Sequence, residues 1–303
     1  MSDFFHGGWS VYIAIATVVG LAACLALLII AARRRVMAND NTTGHVWDED
    51  LRELNNPLPR WWMWLFVLTI VFSAAYLAVY PGLGSAPGRF NWTSLGQYQD
   101  EQAKARAAAA PLFERFAAMP AAQLARNPQA MAVGERLFAN NCATCHGADA
   151  RGSKGFPNLT DRDWLWGGTP EKIAESISKG RQGSMPAVAS AVGTSDDVRN
   201  VAAYVLSLSG GTNSIAAQLG RSKFAICAGC HGADGKGNQA LGAPNLVDDV
   251  WLHGWGEEAV IAMITKGKTN VMPAHGSRFT PEQIHVLAAY VWSLSNPTSS
   301  GAP

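Results

Sequence analysis

The chain has 303 residues, of which 48% are hydrophobic and 16% are charged. An apolar fraction of this size excludes a disordered chain, and the formal net charge of +1 gives no reason to expect a nucleic-acid partner. The low charge fraction indicates instead that part of the chain lies in a lipid bilayer.

Residues 11–32 are predicted to form a first transmembrane helix, after an N-terminal tail at residues 1–10. The run contains no charged residue, and at about 1.5 Å per residue it reaches about 33 Å, enough to cross the hydrocarbon core. A cleaved signal peptide is the alternative. However, the tail has no Lys or Arg, and the apolar run is longer than the roughly 7–15 residues of a signal peptide. We therefore expect a retained anchor.

A second uncharged run at residues 61–80 predicts another transmembrane helix, and a loop at residues 33–60 joins the two. The loop holds five Arg residues, whereas the tail holds none. The positive-inside rule therefore predicts a cytoplasmic loop, with the N-terminus and everything after residue 80 exported. Aromatic side chains typical of membrane interfaces stand at both ends of the second run, namely Trp61, Trp62, Trp64, Tyr76 and Tyr80.

Residues 81–127 are predicted to be an exported linker in which Gly, Pro and Ala are frequent. Strong helix formers dominate from about Gln99 to Ala118, so a helix is predicted there. We assign the linker a spacer role, because its residues show no pattern that indicates chemistry.

Two CxxCH motifs, at residues 142–146 and 227–231, are the strongest chemical signal in the chain. Two thiols on one helical turn are placed to form thioethers with a porphyrin, and the adjacent His then binds the iron. A redoxin pair, a four-thiolate zinc site and two disulfides are the alternatives, but none explains a His after each second Cys. Two covalently bound haem c groups are therefore the expected cofactors. The residues expected to hold them are the thioether cysteines Cys142, Cys145, Cys227 and Cys230 and the iron ligands His146 and His231.

The motifs belong to a tandem repeat, with one predicted domain at residues 128–210 and a second at 211–296. GERLFANNCATCHGAD at 134–149 matches GRSKFAICAGCHGAD at 220–234. Units of about 80 residues are marginal as apolar cores, so a haem is expected to supply much of each interior. The predicted fold is mainly α, with two transmembrane helices followed by a tandem dihaem domain that resembles class I cytochrome c, and a C-terminal tail at 297–303.

A sixth iron ligand is expected from Met185 and Met272, which lie 39 and 41 residues after the His of their motifs. Each Met precedes a Pro, and the matched spacing favours ligation over simple core filling. His/Met ligation leaves no open position on the iron, which suits electron transfer. Tandem units can exchange their Met loops, so the sequence leaves open which Met binds which iron. The carbonyls of Pro157 and Pro244 are the expected partners of the two imidazole N–H groups.

Residues 42–62 read TTGHVWDEDLRELNNPLPRWW, and the sequence continues through the second run to YPGLG at 80–84. This stretch resembles the N-terminal region of the CcoP (FixP) family, the dihaem subunits of cbb3-type cytochrome c oxidases. The order of anchor, spacer and dihaem domain matches that family along nearly the whole chain. The helix at residues 11–32 is a departure, since many members have a single span.

The resemblance implies a membrane-anchored electron-transfer subunit that has no catalytic site of its own. Electrons would enter from a soluble cytochrome c and pass through a membrane-anchored monohaem cytochrome c subunit to the haem-copper catalytic subunit, where oxygen is reduced and protons are pumped. The loop at 33–60 and the second helix would dock on that catalytic subunit, and a small single-span subunit is a candidate partner of the first helix. The implied location is the bacterial inner membrane, with the N-terminus and the haem domain on the periplasmic side.

Two other functions remain open from the residues alone. A dihaem cytochrome c peroxidase requires one iron without a Met ligand, and the matched Met-Pro pairs count against it. A cytochrome subunit of a periplasmic dehydrogenase would co-purify with a dehydrogenase, and not with haem b and copper.

Overall fold

The computed structural model describes residues 6–33 and 40–297. Parts of the two predicted tails, together with Arg34 and Arg35 of the predicted loop, lie outside the described residues. The chain divides into two compact units, Met1–Ala108 and Ala109–Pro303. The first unit contains both apolar helices, and the second contains both CxxCH motifs.

Both predicted spans are helical: α1 covers Gly7–Ala32 and α2 covers Arg60–Val79. Their most apolar windows have mean hydropathies of 2.9 and 2.0, and only 6% and 0% of these windows are buried by protein. Exposed helices of this length and composition are suited to a bilayer, where lipid covers the apolar side chains. α1 begins a few residues before the predicted position because the Nδ1 atom of His6 accepts a hydrogen bond from the N–H of Gly8 and caps the helix.

A β-hairpin that the sequence did not predict lies between the two spans. β1 (Thr42–Trp47) pairs antiparallel with β2 (Leu51–Leu54). Asp48 and Glu49 form the turn with positive φ values of 45° and 75°. The described part of the loop at 33–60 is therefore folded, and polar residues occupy its turn.

The linker helix α3 covers Ser94–Ala117 and so begins earlier than predicted. Phe116, in its last turn, packs with Leu124 of the short helix α4 (Ala121–Leu124) and with Val286 near the C-terminus, and all three side chains are buried. This cluster fixes the end of the linker to the last helix of the chain.

The second unit contains two copies of one order of elements: a helix, a motif turn, a second helix, a short strand and a last helix. The first copy consists of α5 (Pro128–Asn141), α6 (Ala143–His146), α7 (Pro170–Lys179), β3 (Arg181–Met185), the extra turn α8 (Ala189–Val192) and α9 (Ser195–Leu208). The second copy consists of α10 (Ile215–Lys223), α11 (Ala225–His231), α12 (Glu257–Lys266), β4 (Lys268–Met272) and α13 (Pro281–Ser295). Capping boxes at Thr194 and Thr280 start the two last helices.

The two copies exchange their last helices when they pack. The last helix of the second copy, α13, contacts α5 and α7 of the first copy, while α9 of the first copy contacts α10 and α12 of the second. One hydrophobic cluster joins Phe138 to Leu287, and another joins Val201 to Phe224. Each packing unit is therefore built from both copies of the repeat.

The strands β3 and β4 pair antiparallel, with Gly183 opposite Asn270 at the centre of the ladder. The chain leaves one packing unit along β3 and returns to it along β4. The predicted domains at 128–210 and 211–296 are thus units of sequence repetition, and neither is a packing unit by itself. The reason is that each last helix completes the core of the other copy.

Gly134 lies where α5 crosses α13, and a Cβ atom added there would lie 2.6 Å from the Cβ of Tyr290. We expect Gly134→Ala to lower the free energy of unfolding by about 1–3 kcal/mol, because the two helices would have to move apart. Gly183→Ala is the matched control, since no atom beyond its chain neighbours lies within 4 Å of a Cβ added there. Thermal unfolding of the full chain in mild detergent measures both variants. Equal midpoints would contradict this close helix crossing.

Candidate haem-binding sites

Each CxxCH motif ends a helix, α6 or α11, at a buried His. His146 is 9% exposed and His231 is 8% exposed. The first Cys of each motif is half-buried, and the second Cys is exposed. The two motifs thus have the same geometry, in which the imidazole points away from solvent and the second thiol remains near the surface.

A backbone carbonyl orients each imidazole. The Nδ1 atoms of His146 and His231 lie 3.1 Å and 3.0 Å from the carbonyl oxygens of Pro157 and Pro244, respectively. These contacts confirm the predicted partners. When Nδ1–H donates to the carbonyl, Nε2 is the unprotonated nitrogen and is available to a metal. Burial lowers the pKa of His146, against the opposing effect of the Pro157 hydrogen bond, and so favours the neutral imidazole that a metal binds.

The two motifs lie in separate hydrophobic clusters. Cys142 and Met272 pack against the cluster that contains Phe138, whereas Cys227 and Met185 pack against the other. The four thiols are therefore not gathered at one point, which counts against the zinc alternative. The structure places Met272 with the motif of the first copy and Met185 with the motif of the second.

Two buried nitrogen atoms bear on whether a haem fits these clusters. Among the described side chains, Trp251 Nε1 and His275 Nδ1 are buried and make no hydrogen bond. Trp251 packs against the cluster of Cys227, and the ring of His275 lies 6.2 Å from that of Phe279, which packs against the cluster of Cys142. A buried nitrogen without a partner is unfavourable, and haem propionates are carboxylates that accept such hydrogen bonds. The donor set of thiols, imidazole and thioether fits haem c at both motifs.

Three carboxyl groups from both copies, those of Asp161, Asp163 and Asp248, lie close enough to interact, and the sequence did not predict this group. Asp161 and Asp248 stand at matching positions, each two residues after a PNL tripeptide. This repeated position is the sequence signal from which the pair could have been predicted. Burial, and then the carboxyl groups of Asp248 and Asp161, raise the pKa of Asp163 to about 6. Burial first, and Asp248 in addition, also raise the pKa of Asp161. Carboxyl groups of the two copies therefore raise one another's pKa at this point of contact.

Two protein families match the chain. The family described as the N-terminal domain of cytochrome oxidase-cbb3, FixP, matches residues 39–87. The family described as cytochrome c oxidase, cbb3-type, subunit III, matches residues 129–205 and 217–291, which are the two copies of the repeat. With the two apolar helices, these matches confirm the predicted fold class of a membrane anchor and a tandem cytochrome c domain.

Several curated proteins are similar to the chain along most of its length. The cbb3-type cytochrome c oxidase subunit CcoP of Rubrivivax gelatinosus is 65% identical over 303 residues, which is 100% of both chains. The subunit FixP of Azorhizobium caulinodans is 42% identical over 273 residues, covering 84% of this chain and 92% of that protein. The subunit FixP of Rhizobium meliloti is 41% identical over 272 residues, covering 84% and 93%.

The raised pKa of Asp163 predicts a pH-dependent stability. The folded state holds its proton up to about pH 6, whereas the unfolded state releases it near the ordinary value of about 3.9. The folded chain therefore loses stability as the pH rises from about 4 to 6. We expect Asp163→Asn to remove this loss, so the variant should gain stability over the native chain as the pH rises through that range.

Unfolding midpoints of the full chain between pH 4 and pH 7 measure this difference. The exposed neighbour Asp249 supplies the control variant Asp249→Asn, which removes a carboxyl group beside Asp248 in the sequence and leaves Asp163 in place. A constant difference between Asp163→Asn and the native chain over this range would show that Asp163 titrates normally.

Proposed function

The chain belongs to the CcoP and FixP family of cbb3-type cytochrome c oxidase subunits, and on that basis we propose that it carries electrons, as a membrane-anchored dihaem subunit, towards the oxidase's site of oxygen reduction. The full-length identity of 65% to a CcoP subunit is the observation that carries the proposal. Both CxxCH motifs with buried, carbonyl-bound imidazoles support it. The chain has no catalytic site of its own in this proposal, and the complex performs the chemistry.

Two haem c groups are the cofactors of the subunit. The proposed thioether residues are Cys142, Cys145, Cys227 and Cys230, and the proposed axial ligands of the irons are His146, His231, Met185 and Met272. Bound haem c supplies a one-electron couple between ferric and ferrous iron. The chain holds each imidazole on a Pro carbonyl, which fixes the ring orientation and leaves Nε2 free. Met185 and Met272 would each supply a thioether as the further ligand of an iron, and a haem held by His and Met would transfer electrons without binding a substrate.

The placement of the motif cysteines supports electron entry at the protein surface. Cys145 and Cys230, the second cysteines of the motifs, are exposed, so a haem attached to them would be accessible to a donor at the protein surface. A soluble cytochrome c is the proposed donor, through a small and transient contact. A membrane-anchored monohaem cytochrome c subunit is the proposed acceptor, between this chain and the haem-copper catalytic subunit.

The hairpin of β1 and β2 is the proposed contact with the haem-copper catalytic subunit. Its apolar side chains are exposed: Val46 by 52%, Trp47 by 61% and Leu51 by 61%. An apolar group of this kind beside a membrane span is typical of a surface that another protein covers. The exposed sides of α1 and α2 face the lipid bilayer or neighbouring spans, and a small single-span subunit is the proposed partner of α1.

The proposed orientation places the hairpin in the cytoplasm and the haem-bearing unit in the periplasm of a bacterium, with both spans in the inner membrane. The support is the excess of Arg in the loop at 33–60. In this topology the haems are attached on the exported side of the membrane, and the hairpin lies in the cytoplasm.

Removal of one haem at a time tests the proposed function. The complex purified through this chain should contain haem b and copper, should carry two haem c groups attached to this chain itself, and should consume oxygen with reduced cytochrome c. Cys142→Ser combined with Cys145→Ser should leave one haem c per chain and reduce oxygen uptake towards background, because the electron path is interrupted. The mass of the separated chain, which counts its covalently attached haems, and an oxygen electrode measure the two effects.

Cys24 of α1 is the matched control, since Cys24→Ser removes a thiol that lies outside the CxxCH motifs. This variant should keep two haem c groups and full oxygen uptake. A purified native chain that carries haem c but neither haem b nor copper, and that consumes no oxygen, would contradict the proposal and favour the peroxidase or dehydrogenase functions.

The orientation has its own test in a Cys24→Ser background. We expect Asp100→Cys in α3 to react with a membrane-impermeant maleimide on intact spheroplasts, because residues after the second span are exported. Asp50→Cys in the hairpin turn should react only after detergent opens the membrane. Both positions are exposed in the structure, and the reverse pattern of labelling would show the opposite topology.

A further inference from the structure

A cavity of about 470 Å³ lies between the end of α1 and the start of α2. The last turns of α1 line it with Leu28 and Ala32, and the first turns of α2 line it with Met63 and Val67. Its volume lies in the range of roughly 300–1,000 Å³ that is typical of ligand-binding cavities. Because these side chains are apolar, this part of the cavity is suited to an apolar ligand.

Two Arg side chains stand at the end of the helix pair where this cavity lies. Arg60, the first residue of α2, lines the cavity and is exposed. Arg33 directly follows Ala32, the last residue of α1, and is also exposed. In the part of the chain that the structure describes, neither Arg side chain has a hydrogen bond or an ion pair. The polar end of the cavity therefore carries positive charge that the described residues do not neutralise.

The carboxyl groups of the neighbouring hairpin have other partners or lie at its far end. Asp40 forms an ion pair with Arg52 at 3.2 Å, and Glu53 accepts a hydrogen bond from the hydroxyl of Thr43 at 3.0 Å. The other acidic side chains of the hairpin stand in the turn between β1 and β2, about 16 Å along the strands from its open end. The two Arg side chains are thus available to an anion from outside the chain.

The cavity lies where a phospholipid changes from acyl chain to headgroup. Both helices have the length and hydropathy of membrane spans, and lipid headgroups begin where such spans end. Trp64, which also lines the cavity, is 67% exposed, and exposed Trp side chains are typical of this boundary. The apolar walls match an acyl chain, and the Arg side chains match a phosphodiester.

The charge of the site favours an anionic lipid over a zwitterionic one. A guanidinium group offers paired N–H donors to phosphate oxygens, so both classes of lipid satisfy this contact. A zwitterionic headgroup also brings an ammonium group, which Arg33 and Arg60 would repel. Basic pockets between transmembrane helices are typical sites for anionic headgroups.

We propose that the cavity between α1 and α2 binds one anionic phospholipid. An acyl chain lies against the apolar side chains of both helices, the phosphate accepts hydrogen bonds from Arg60, and Arg33 adds positive charge. In the orientation proposed above, this lipid belongs to the cytoplasmic leaflet. The lipid joins the first span to the second, so α1 contributes half of a binding site as well as a membrane anchor.

Lipid retention by the full chain tests this proposal. The chain in mild detergent is incubated with equal amounts of phosphatidylglycerol and phosphatidylcholine, and native mass spectrometry counts the lipids that remain bound. The native chain should retain phosphatidylglycerol in preference. Arg33→Gln combined with Arg60→Gln should lower the retained phosphatidylglycerol roughly tenfold, because the phosphate loses both cations.

Arg89→Gln is the matched control, since Arg89 is exposed and follows the opposite end of α2. This variant should keep the preference of the native chain. Equal retention of the two lipids by the native chain, or an unchanged preference in the double variant, would overturn the proposal. Helix content by circular dichroism shows whether each variant is folded.

The apolar part of the site has a separate pair of variants. Ala32→Leu places additional carbon atoms in the cavity and should lower the retention of phosphatidylglycerol. Ala31→Leu is the matched control, because Ala31 is exposed and is not among the residues that line the cavity. Glycerophosphate, which has no acyl chain, should not displace the lipid. Displacement by glycerophosphate, or full retention in Ala32→Leu, would contradict binding of an acyl chain.

A photoreactive phenylalanine analogue placed at Met63 identifies what fills the cavity when the complete complex lies in its own membrane. Adducts should contain anionic phospholipid above its share of the membrane lipid. Adducts that only follow the lipid composition, or that join another protein chain, would overturn the proposal. None of these measurements depends on haem or on oxygen uptake, so their failure is distinct from a failure of the proposed function.

Discussion

The antiparallel pairing of β3 with β4 is the contact on which the second unit depends. These strands are short, yet they carry the chain from one hydrophobic cluster to the other and back. Because of this crossing, α13 completes the core around the first motif and α9 completes the core around the second. Small cores of this size are marginal alone, and sharing helices between them couples the stability of the two halves.

The two motifs meet the same physical requirement in the same way. An imidazole that binds iron must be unprotonated at one nitrogen and held in one orientation. The carbonyls of Pro157 and Pro244 meet both needs at His146 and His231, the proposed iron ligands. The clusters supply a water-poor surrounding, and the unpaired nitrogen atoms of Trp251 and His275 remain for an acceptor that the protein itself does not provide. The apolar and polar parts of each site are thus complementary to one prosthetic group.

The membrane-anchoring unit follows a different rule of burial. Its two helices expose their apolar side chains, which is stable only when lipid or another protein covers them. Hydropathy located these helices well, because the run without charge is set by the bilayer and not by tertiary contacts. The hairpin was not predicted, since its turn depends on Asp48 and Glu49 in the left-handed region of φ, which those residues adopt only in a suitable context.

The sequence by itself determined the two spans, the two haem attachment motifs and the Pro carbonyls that hold the imidazoles, because each of these depends on residues close together in the chain. The helix ends were less accurate: α1 begins at Gly7 and α3 at Ser94, where local caps and turns decide. Only the tertiary structure decided how the repeats pack. Phe138 and Phe224 stand at matching positions of the two copies. The apolar pattern of α13 is therefore compatible with packing against either Phe. Long-range contacts decide which copy each last helix packs against, namely the β3–β4 ladder and the close approach of Tyr290 to Gly134. The local sequence pattern contains no information about these contacts.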